Sequence, residues 1–170
     1  MPESAVGLVH PDQQVVVYRL VKERFLNTPL SAEGARRYGG RWNPVGVGIF
    51  YTSASPELAL LEQLVHLPAL PYEDLPKLFL LTLALPEQPE KLTSLPAGWR
   101  EEAGYQTCHR LLADWLRDPH ALTIGVPSAV VPESTNYLLH PLHASYDKIQ
   151  ILRSAPFEID PRLWQRQSPG

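Results

Sequence analysis

Apolar and polar positions follow two different periods along the chain, and each period predicts a different kind of element. Three runs have the short length and the β-branched or aromatic content of buried strands, namely Gln14–Leu20, Gly48–Ser53 and Lys77–Pro86. A fourth, Ala121–Val131, predicts one strand or two short strands interrupted at its internal proline. A fifth, Tyr146–Ser154, predicts the last strand.

Two segments carry the helical period instead. Ser55 and Pro56 suit the N-cap and the first position of a helix that continues to Leu67. The stretch Tyr105–Leu116 predicts a second helix, because its apolar residues fall on one face. That face is formed by Leu111, Leu112, Trp115 and Leu116. Ser31–Tyr38 has room for one or two further helical turns.

The order of these elements indicates the fold class. About five strands and two good helices without regular βα alternation predict an α+β fold, with a small mixed β-sheet core and flanking helices. Residues 1–170 show no internal repeat and no break in composition, so we expect a single domain. Neither a Rossmann glycine motif nor a P-loop is present, so neither kind of cofactor site is indicated.

Composition narrows the classes of function. The chain is 44% apolar and 19% charged, which is typical of globular proteins. A net charge of −3 argues against direct nucleic-acid binding, which needs a basic surface. The single cysteine, Cys108, excludes a disulfide framework and a multi-cysteine metal site. Residues 1–14 lack a leader pattern and no apolar run approaches 18 residues, so we expect a cytoplasmic protein without a membrane span.

Glycine and arginine are concentrated before the second predicted strand, in the sequence RRYGGRWNPVGVG. Gly39 and Gly40 permit close approach of the backbone to a ligand, and Arg41 supplies a planar donor fork suited to a diphosphate or a carboxylate. Arg36 and Arg37 extend this to a basic cluster that can hold a small phosphate ligand. The alternative is a glycine-rich hairpin in which Arg41 pairs with an acidic neighbour.

Glu62 lies beside the apolar face of the first long helix, about 40° from Leu58 on a helical wheel. A carboxylate at that position points toward the sheet or along its rim. His66 follows one turn later on the same side. Two interpretations stay open, a functional carboxylate aimed into a ligand site and a border residue that bonds to His66 or to solvent.

Three further polar residues stand at strand positions. Arg19 follows a run of valines and must pair or face a site, because an unpaired buried charge is costly. Tyr51 is either a core residue or part of a ligand face. Ser128, after a proline that ends a strand, either donates to a ligand or satisfies a turn.

Asn136, His140 and His143 are of residue types that can ligate a metal. No second cluster completes such a site, so cap and core roles are favoured for these residues and no metal site is predicted. Cys108 lies within the second predicted helix, where we expect it to be packed.

Several of these segments together closely resemble the RES domain, a family named for an arginine, a glutamate and a serine. They are YRL, GGRWN, YTS, LE and VPS, which occur in the family's order, and the resemblance covers about residues 16–163. It implies a fold similar to the diphtheria-toxin-like ADP-ribosyltransferase fold. The tail departs from the family's N-P-x-H-P pattern, since this chain has His140-Pro141-Leu142-His143-Ala144, so no family role carries over to His140.

The resemblance also implies site residues. The residues with expected catalytic roles are Arg41, Tyr51 and Glu62. The residues expected to bind substrate are Arg19, Arg41, Tyr51, Ser128 and Asn136. In this assignment Glu62 stabilises positive charge on a ribose, and the arginines hold phosphate groups.

The function implied by the resemblance is that of a toxin in a type II toxin–antitoxin pair. Such a toxin depletes NAD+ by phosphorolysis or hydrolysis of the nicotinamide–ribose bond, with NAD+ as substrate, phosphate as the co-substrate of phosphorolysis and no resident cofactor. The expected partner is an Xre-type helix-turn-helix antitoxin that covers the active site. The alternatives are an ADP-ribosyltransferase that modifies a protein, and a catalytically silent antitoxin-binding module.

Overall fold

The computed structural model describes residues 13–164, which form a seven-stranded sheet flanked by short helices. The strands are β1 Val15–Lys22, β2 Phe50–Ser53, β3 Leu78–Leu85, β4 Glu90–Lys91, β5 Thr123–Pro127, β6 Thr135–Leu139 and β7 Gln150–Phe157. Their order in the sheet is β4-β5-β6-β2-β1-β3-β7. All neighbours are antiparallel except β4 and β5, which are parallel. The leader prediction concerns residues 1–14, of which 1–12 lie outside the described part.

Within residues 13–164, five α-helices connect or cover the strands. They are α1 Glu33–Tyr38, α2 Pro56–His66, α3 Tyr105–Leu111, α4 Ala113–Arg117 and α5 Pro161–Trp164. The start of α2 is as predicted, because Ser55 Oγ accepts a hydrogen bond from Leu58 N at 3.1 Å and Pro56 occupies the first turn. No helix within residues 13–164 has the length and apolarity that a membrane crossing needs.

The second predicted helix is interrupted. α3 ends at Leu111, and Leu112 has φ −99° and ψ 6° before α4 begins. Leu112, Trp115 and Leu116 are buried as predicted, whereas Leu111 is 43% exposed. The prediction of one continuous apolar face was therefore wrong at Leu111, because α3 ends there and the helical period does not continue unbroken to Leu116.

The predicted strands β1, β2 and β3 are confirmed. For the later strands, the observed ends differ from the predicted ones. β5 is shorter than the predicted run, and β7 begins at Gln150 because residues 146–148 form a 3₁₀ turn. β6 was not predicted at all. It lies between β5 and β2, pairing Asn136 with Val126 on one side and with Ser53 on the other. It begins with the polar residues Thr135 and Asn136, so no run of apolar residues indicates a strand there. Pairing with the two neighbouring strands stabilises it.

The core lies on both faces of this sheet and sets the position of α2. One cluster centres on β1 and β3, with Val17, Leu81 and Leu83 fully buried. Another places α3 and α4 against β5 and β6. In the third, Ala59 of α2 packs with Leu20 of β1, so α2 lies across the strands that carry the candidate residues. The mixed α+β fold predicted from the sequence is confirmed.

Candidate active site

A cleft of about 740 Å³ opens where α2, β1 and β2 meet the glycine-rich loop. It is lined by five of the six residues that the sequence analysis singled out, namely Arg19, Arg41, Tyr51, Glu62 and Asn136. Ser128, the sixth, is fully buried and is not part of the lining.

Glu62 projects from α2 toward the ends of β5 and β6. Its Oε1 accepts hydrogen bonds from Ser128 Oγ at 2.6 Å and from Asn136 Nδ2 at 2.7 Å. Among the described residues Oε2 has no hydrogen-bond partner, so it is the oxygen left for a ligand. His66 lines the same cleft but makes no hydrogen bond to Glu62 within this part of the chain, which disfavours the border interpretation.

Ser128 is oriented by the backbone that follows it. Its Oγ accepts hydrogen bonds from Val130 N at 3.1 Å and Val131 N at 3.0 Å. Because these N–H groups occupy the acceptor side of the hydroxyl, its own hydrogen points to Glu62. Of the two roles considered for Ser128, donor to a ligand or member of a turn, the structure gives it the turn and adds the contact to Glu62.

The amide of Asn136 is oriented in the same way. Ser53 Oγ donates to Asn136 Oδ1 at 2.8 Å, which leaves Nδ2 to face Glu62. Two hydrogen-bond donors with fixed directions therefore meet one carboxylate oxygen.

Arg19 is a cation of β1 that faces the cleft. Its Nη1 donates to Tyr51 O at 2.6 Å, and its guanidinium lies 4.5 Å from the centre of the Phe50 ring. Nε is buried without a partner, and no carboxylate of residues 13–164 lies within 4.0 Å. Burial lowers the pKa of Arg19 below its usual value, because the charged form loses its hydration. A cation in this setting favours an anionic ligand.

The glycine-rich loop is held in place by Asn43, which is fully buried. Asn43 Nδ2 donates to Ala35 O at 2.8 Å and to Val47 O at 2.7 Å. Its Oδ1 accepts from Tyr51 Oη at 2.5 Å. A Cβ at Gly40 would lie 2.9 Å from that hydroxyl, so only glycine fits where the loop passes Tyr51.

Tyr51 therefore holds the glycine-rich loop by hydrogen bonds and also lines the cleft. Trp42 N donates to its hydroxyl at 3.3 Å, and the hydroxyl hydrogen is used by Asn43. Burial raises the pKa of Tyr51 far above its ordinary value, so the side chain is a neutral phenol at neutral pH. What Tyr51 presents to a ligand is its ring, since its donor hydrogen is already used.

Arg41 crosses to the loop before α3. Its Nη1 donates to Trp99 O at 2.6 Å and to Glu101 O at 3.2 Å, and its guanidinium lies 4.7 Å from the centre of the Tyr105 ring. No carboxylate of the described residues pairs with it, so the interpretation as an arginine paired with an acidic neighbour is wrong.

The predicted basic cluster does not form. Arg36 pairs with Glu33 at 2.6 Å, and Arg37 approaches the same carboxylate at 3.6 Å. Both are exposed, and neither lines the cleft. The helical spacing of α1 brings both arginines to Glu33, so Arg41 alone of the three reaches the site.

Arg100 and Tyr105 are among the cleft residues that the sequence analysis did not identify. Arg100 lies in an irregular loop without a pattern, and Tyr105 was taken only as the start of a helix. No local signal marks either residue, because they reach the cleft through long-range packing.

His140 lies in the core, away from the cleft. Its Nε2 donates to Leu116 O at 2.9 Å, and its Nδ1 accepts from Leu142 N at 3.2 Å. Burial lowers its pKa below the ordinary value, and the ring packs edge-on against Trp115 with centres 5.0 Å apart. Within residues 13–164 no group of three metal-ligating side chains comes together.

Comparison with known families adds to this geometry. The sequence pattern of the RES domain matches residues 16–160. This chain belongs to the RES domain toxin family. A protein named Toxin Res from Photorhabdus laumondii is 31% identical over 153 residues, which cover 88% of this chain and 97% of that protein. Toxin Res from Pseudomonas putida is 39% identical over 140 residues, covering 79% and 92% of the two chains.

A third relative carries a more specific name. The Prs ADP-ribosylating toxin of a Sphingobium species is 34% identical over 142 residues, covering 79% of this RES chain and 86% of that protein. Among solved structures, the MbcT–MbcA toxin–antitoxin complex of M. tuberculosis contains a chain with a TM-score of 0.67 and 21% identity, covering 91% and 89% of the two chains. The similarity shows that the two chains share a fold.

Proposed function

We propose that this RES chain is the toxin of a toxin–antitoxin pair and consumes cytoplasmic NAD+ by cleaving its nicotinamide–ribose bond. One observation carries the proposal, a carboxylate with one oxygen held and the other left to a cleft lined by three arginines. The arginines are Arg19, Arg41 and Arg100, and Glu62 is the single carboxylate that residues 13–164 contribute to the lining. This distribution of three cations and one carboxylate suits a ligand with two parts. One part is a diphosphate, and the other is a carbon atom that becomes positively charged during the reaction.

The chemistry of the bond explains the need for Glu62. The bond between C1′ and nicotinamide breaks, and its electron pair leaves with nicotinamide as a neutral base. Positive charge then develops on C1′ and on the ring oxygen of the ribose. The carboxylate of Glu62, whose Oε2 has no hydrogen-bond partner among residues 13–164, stabilises that charge, as a carboxylate does in glycoside cleavage. Phosphate, or water with loss of a proton, supplies the new oxygen on C1′.

The other residues position the two ends of the substrate. Arg19 and Arg41 hold the diphosphate or an incoming phosphate, and the ring of Tyr51 stacks on nicotinamide. Asn136 lines the cleft and holds Glu62, so it is available to the ribose as well. Ser128 acts through Glu62 in this proposal, because its hydroxyl is buried and already committed.

A second candidate function shares the first step of this chemistry. In it, a protein side chain takes the place of phosphate or water and receives the ADP-ribose. The name of the Sphingobium relative, Prs ADP-ribosylating toxin, favours this candidate.

The proposal includes an antitoxin partner. A chain of the same fold occurs in a toxin–antitoxin complex, and the resemblance to RES toxins points to an Xre-type helix-turn-helix protein that covers the cleft. Since the cleft has more cations than carboxylates, an antitoxin segment with a carboxylate at the cleft is the complementary occupant.

Phosphorus NMR of NAD+ incubated with the purified chain, with and without inorganic phosphate, tests the proposal. A phosphate-dependent loss of NAD+ with a new ADP-ribose phosphate signal identifies phosphorolysis, whereas ADP-ribose formed in both samples identifies hydrolysis. NAD+ that stays intact in both samples contradicts NAD+ depletion. In that case labelled NAD+ incubated with cell lysate tests the second candidate, which requires a labelled protein band.

A further inference from the structure

The loop of residues 96–104 connects β4 to α3 and forms one border of the cleft. A turn in which Trp99 N donates to Pro96 O at 3.3 Å shapes its first part. Arg41 Nη1 then ties the carbonyls of Trp99 and Glu101 to the glycine-rich loop on the other side. This border loop, as we call residues 96–104, is therefore a fixed part of the cleft wall.

Arg100 extends from the border loop across the edge of the cleft. Its Nε and Nη2 donate to Ala129 O at 3.1 and 2.9 Å. Its Nη1 has no hydrogen-bond partner among residues 13–164, although the side chain lines the cleft. A guanidinium has five N–H donors, so Arg100 is held in place by two of them and keeps others for a ligand.

The position of Arg100 is linked to that of the carboxylate. Ala129, which accepts from Arg100, directly follows Ser128, which donates to Glu62. Two adjacent residues therefore contact the cation and the carboxylate of the cleft. The spacing of these two charges is set by a short stretch of backbone, as a ligand that contacts both groups requires.

The charges around Arg100 favour an anion at this edge. Within residues 13–164 no carboxylate lies within 4.0 Å of Arg19, Arg41 or Arg100. Outside the cleft, by contrast, Arg36 and Arg117 pair with carboxylates at 2.6 and 2.8 Å. No carboxylate of the described residues therefore neutralises the arginines of the cleft, although the net charge of the chain is negative. Their charge is available to a ligand.

We propose that Arg100 binds the diphosphate of the ligand and makes the cleft prefer a dinucleotide to a nucleoside. The N–H groups of Nη1 match the non-bridging oxygens of a diphosphate. This inference rests on the proposed function of the same cleft and adds to it a residue that determines specificity.

The variant Arg100→Gln tests it, because glutamine loses the charge but can still donate to Ala129 O. We expect kcat/KM for NAD+ to fall roughly tenfold, mostly through KM, which is the order of one charge-assisted hydrogen bond. With nicotinamide riboside, which has no phosphate, kcat/KM is expected to stay unchanged. The control Arg117→Gln is expected to change neither value. Equal losses on both substrates, or no loss on NAD+, overturn the inference, since a purely structural role affects both alike.

Calorimetric titration with ADP-ribose separates this inference from the proposed function, because binding needs no turnover. The Kd for ADP-ribose is expected to be roughly tenfold higher for Arg100→Gln than for the wild type. Equal Kd values, or no binding by the wild type, overturn the inference. A wild type that binds ADP-ribose with this difference but leaves NAD+ intact supports the inference and contradicts the proposed function alone.

Discussion

The hydroxyl of Ser128 donates to Oε1 of Glu62 at 2.6 Å, although 66 residues separate the two in the chain. The contact joins the segment after β5 to α2, and it is one of two that hold the same carboxylate oxygen. Ser128 is fully buried, so in the proposed function its effect on a ligand passes through Glu62.

Replacing Ser128 by alanine is expected to lower kcat more than it changes KM. The variant takes one donor from Glu62 and leaves the N–H groups of Val130 and Val131 without their acceptor. We expect kcat for NAD+ cleavage to fall at least about tenfold and the free energy of unfolding to fall by about 1–3 kcal/mol. Steady-state kinetics and urea denaturation measure the two, with the exposed Ser94→Ala as control. A raised KM with an unchanged kcat would indicate direct substrate contact instead.

Glu62→Gln isolates the charge of the carboxylate. The amide oxygen of glutamine can still accept from Ser128 and Asn136, so we expect the unfolding midpoint to stay close to that of the wild type. NAD+ cleavage is expected to fall at least about a hundredfold, because charge on the ribose is no longer stabilised. Glu57→Gln, an exposed change in the first turn of the same helix, serves as control. Turnover near the wild-type rate in purified Glu62→Gln would contradict the assigned role.

Arg41→Lys is expected to be as damaging as Arg41→Ala. Lysine keeps the charge but loses the planar guanidinium that lies over the Tyr105 ring. It also loses the Nε and Nη2 donors, which Arg41 does not use in its bonds to Trp99 and Glu101. We expect kcat/KM for NAD+ to fall at least about tenfold in both variants. Arg37→Lys, on the exposed face of α1, is the matched control and should behave as the wild type. A lysine variant that retains full activity would mean that only the charge at this position matters.

The stability of the fold is expected to fall below about pH 6.5 through His140. Burial lowers the pKa of this histidine in the native state, so the native ring stays neutral where the unfolded chain takes up a proton. Its contribution is therefore complete above the unfolded pKa and is lost as the pH falls toward the native one. Thermal unfolding at pH 7.5 and 5.5 should show a larger loss of Tm for the wild type than for His140→Gln. Equal losses for the two proteins would exclude this histidine as the cause.

Thr123→Val is expected to stabilise the chain. The Thr123 hydroxyl is buried in β5 and finds no hydrogen-bond partner among residues 13–164. Valine keeps the branched shape and removes the cost of that unpaired group, so the free energy of unfolding should rise by about 1 kcal/mol. Thr52→Val is the opposite control, since Thr52 Oγ1 donates to Tyr137 O at 3.0 Å and its loss should destabilise. Urea denaturation decides the matter, and a less stable Thr123→Val would contradict the account.

Much of the fold was predictable because its signals are local. The β-branched runs of β1 and β3 specify strands wherever they lie in the chain. The signal for the start of α2 is equally local, since Ser55 caps the helix by accepting a hydrogen bond from Leu58 N, three residues later in the chain. The break at Leu112 was not predicted, because apolar residues continue across it in the sequence.

The strand β6 and the border loop were not predictable in this way. β6 has a polar start and depends on pairing with β2 and β5 on its two sides. Arg100 belongs to the cleft only because the border loop reaches Ala129. The spacing of Arg36, Arg37 and Arg41 in the sequence also led to a wrong prediction, that of a basic cluster. Arg36 and Arg37 instead form ion pairs with Glu33.

The sequence alone was sufficient for the fold class and for the family, because periodicity and motif order are properties of the chain itself. Only the tertiary structure decided which oxygen of Glu62 is held, and that the buried Ser128 donates to it. Hydrogen bonds act over about 3 Å, so their pairing depends on which strands and helices become neighbours. The sheet order brings Ser53, Asn136 and Glu62 within that distance, and no local pattern records that order.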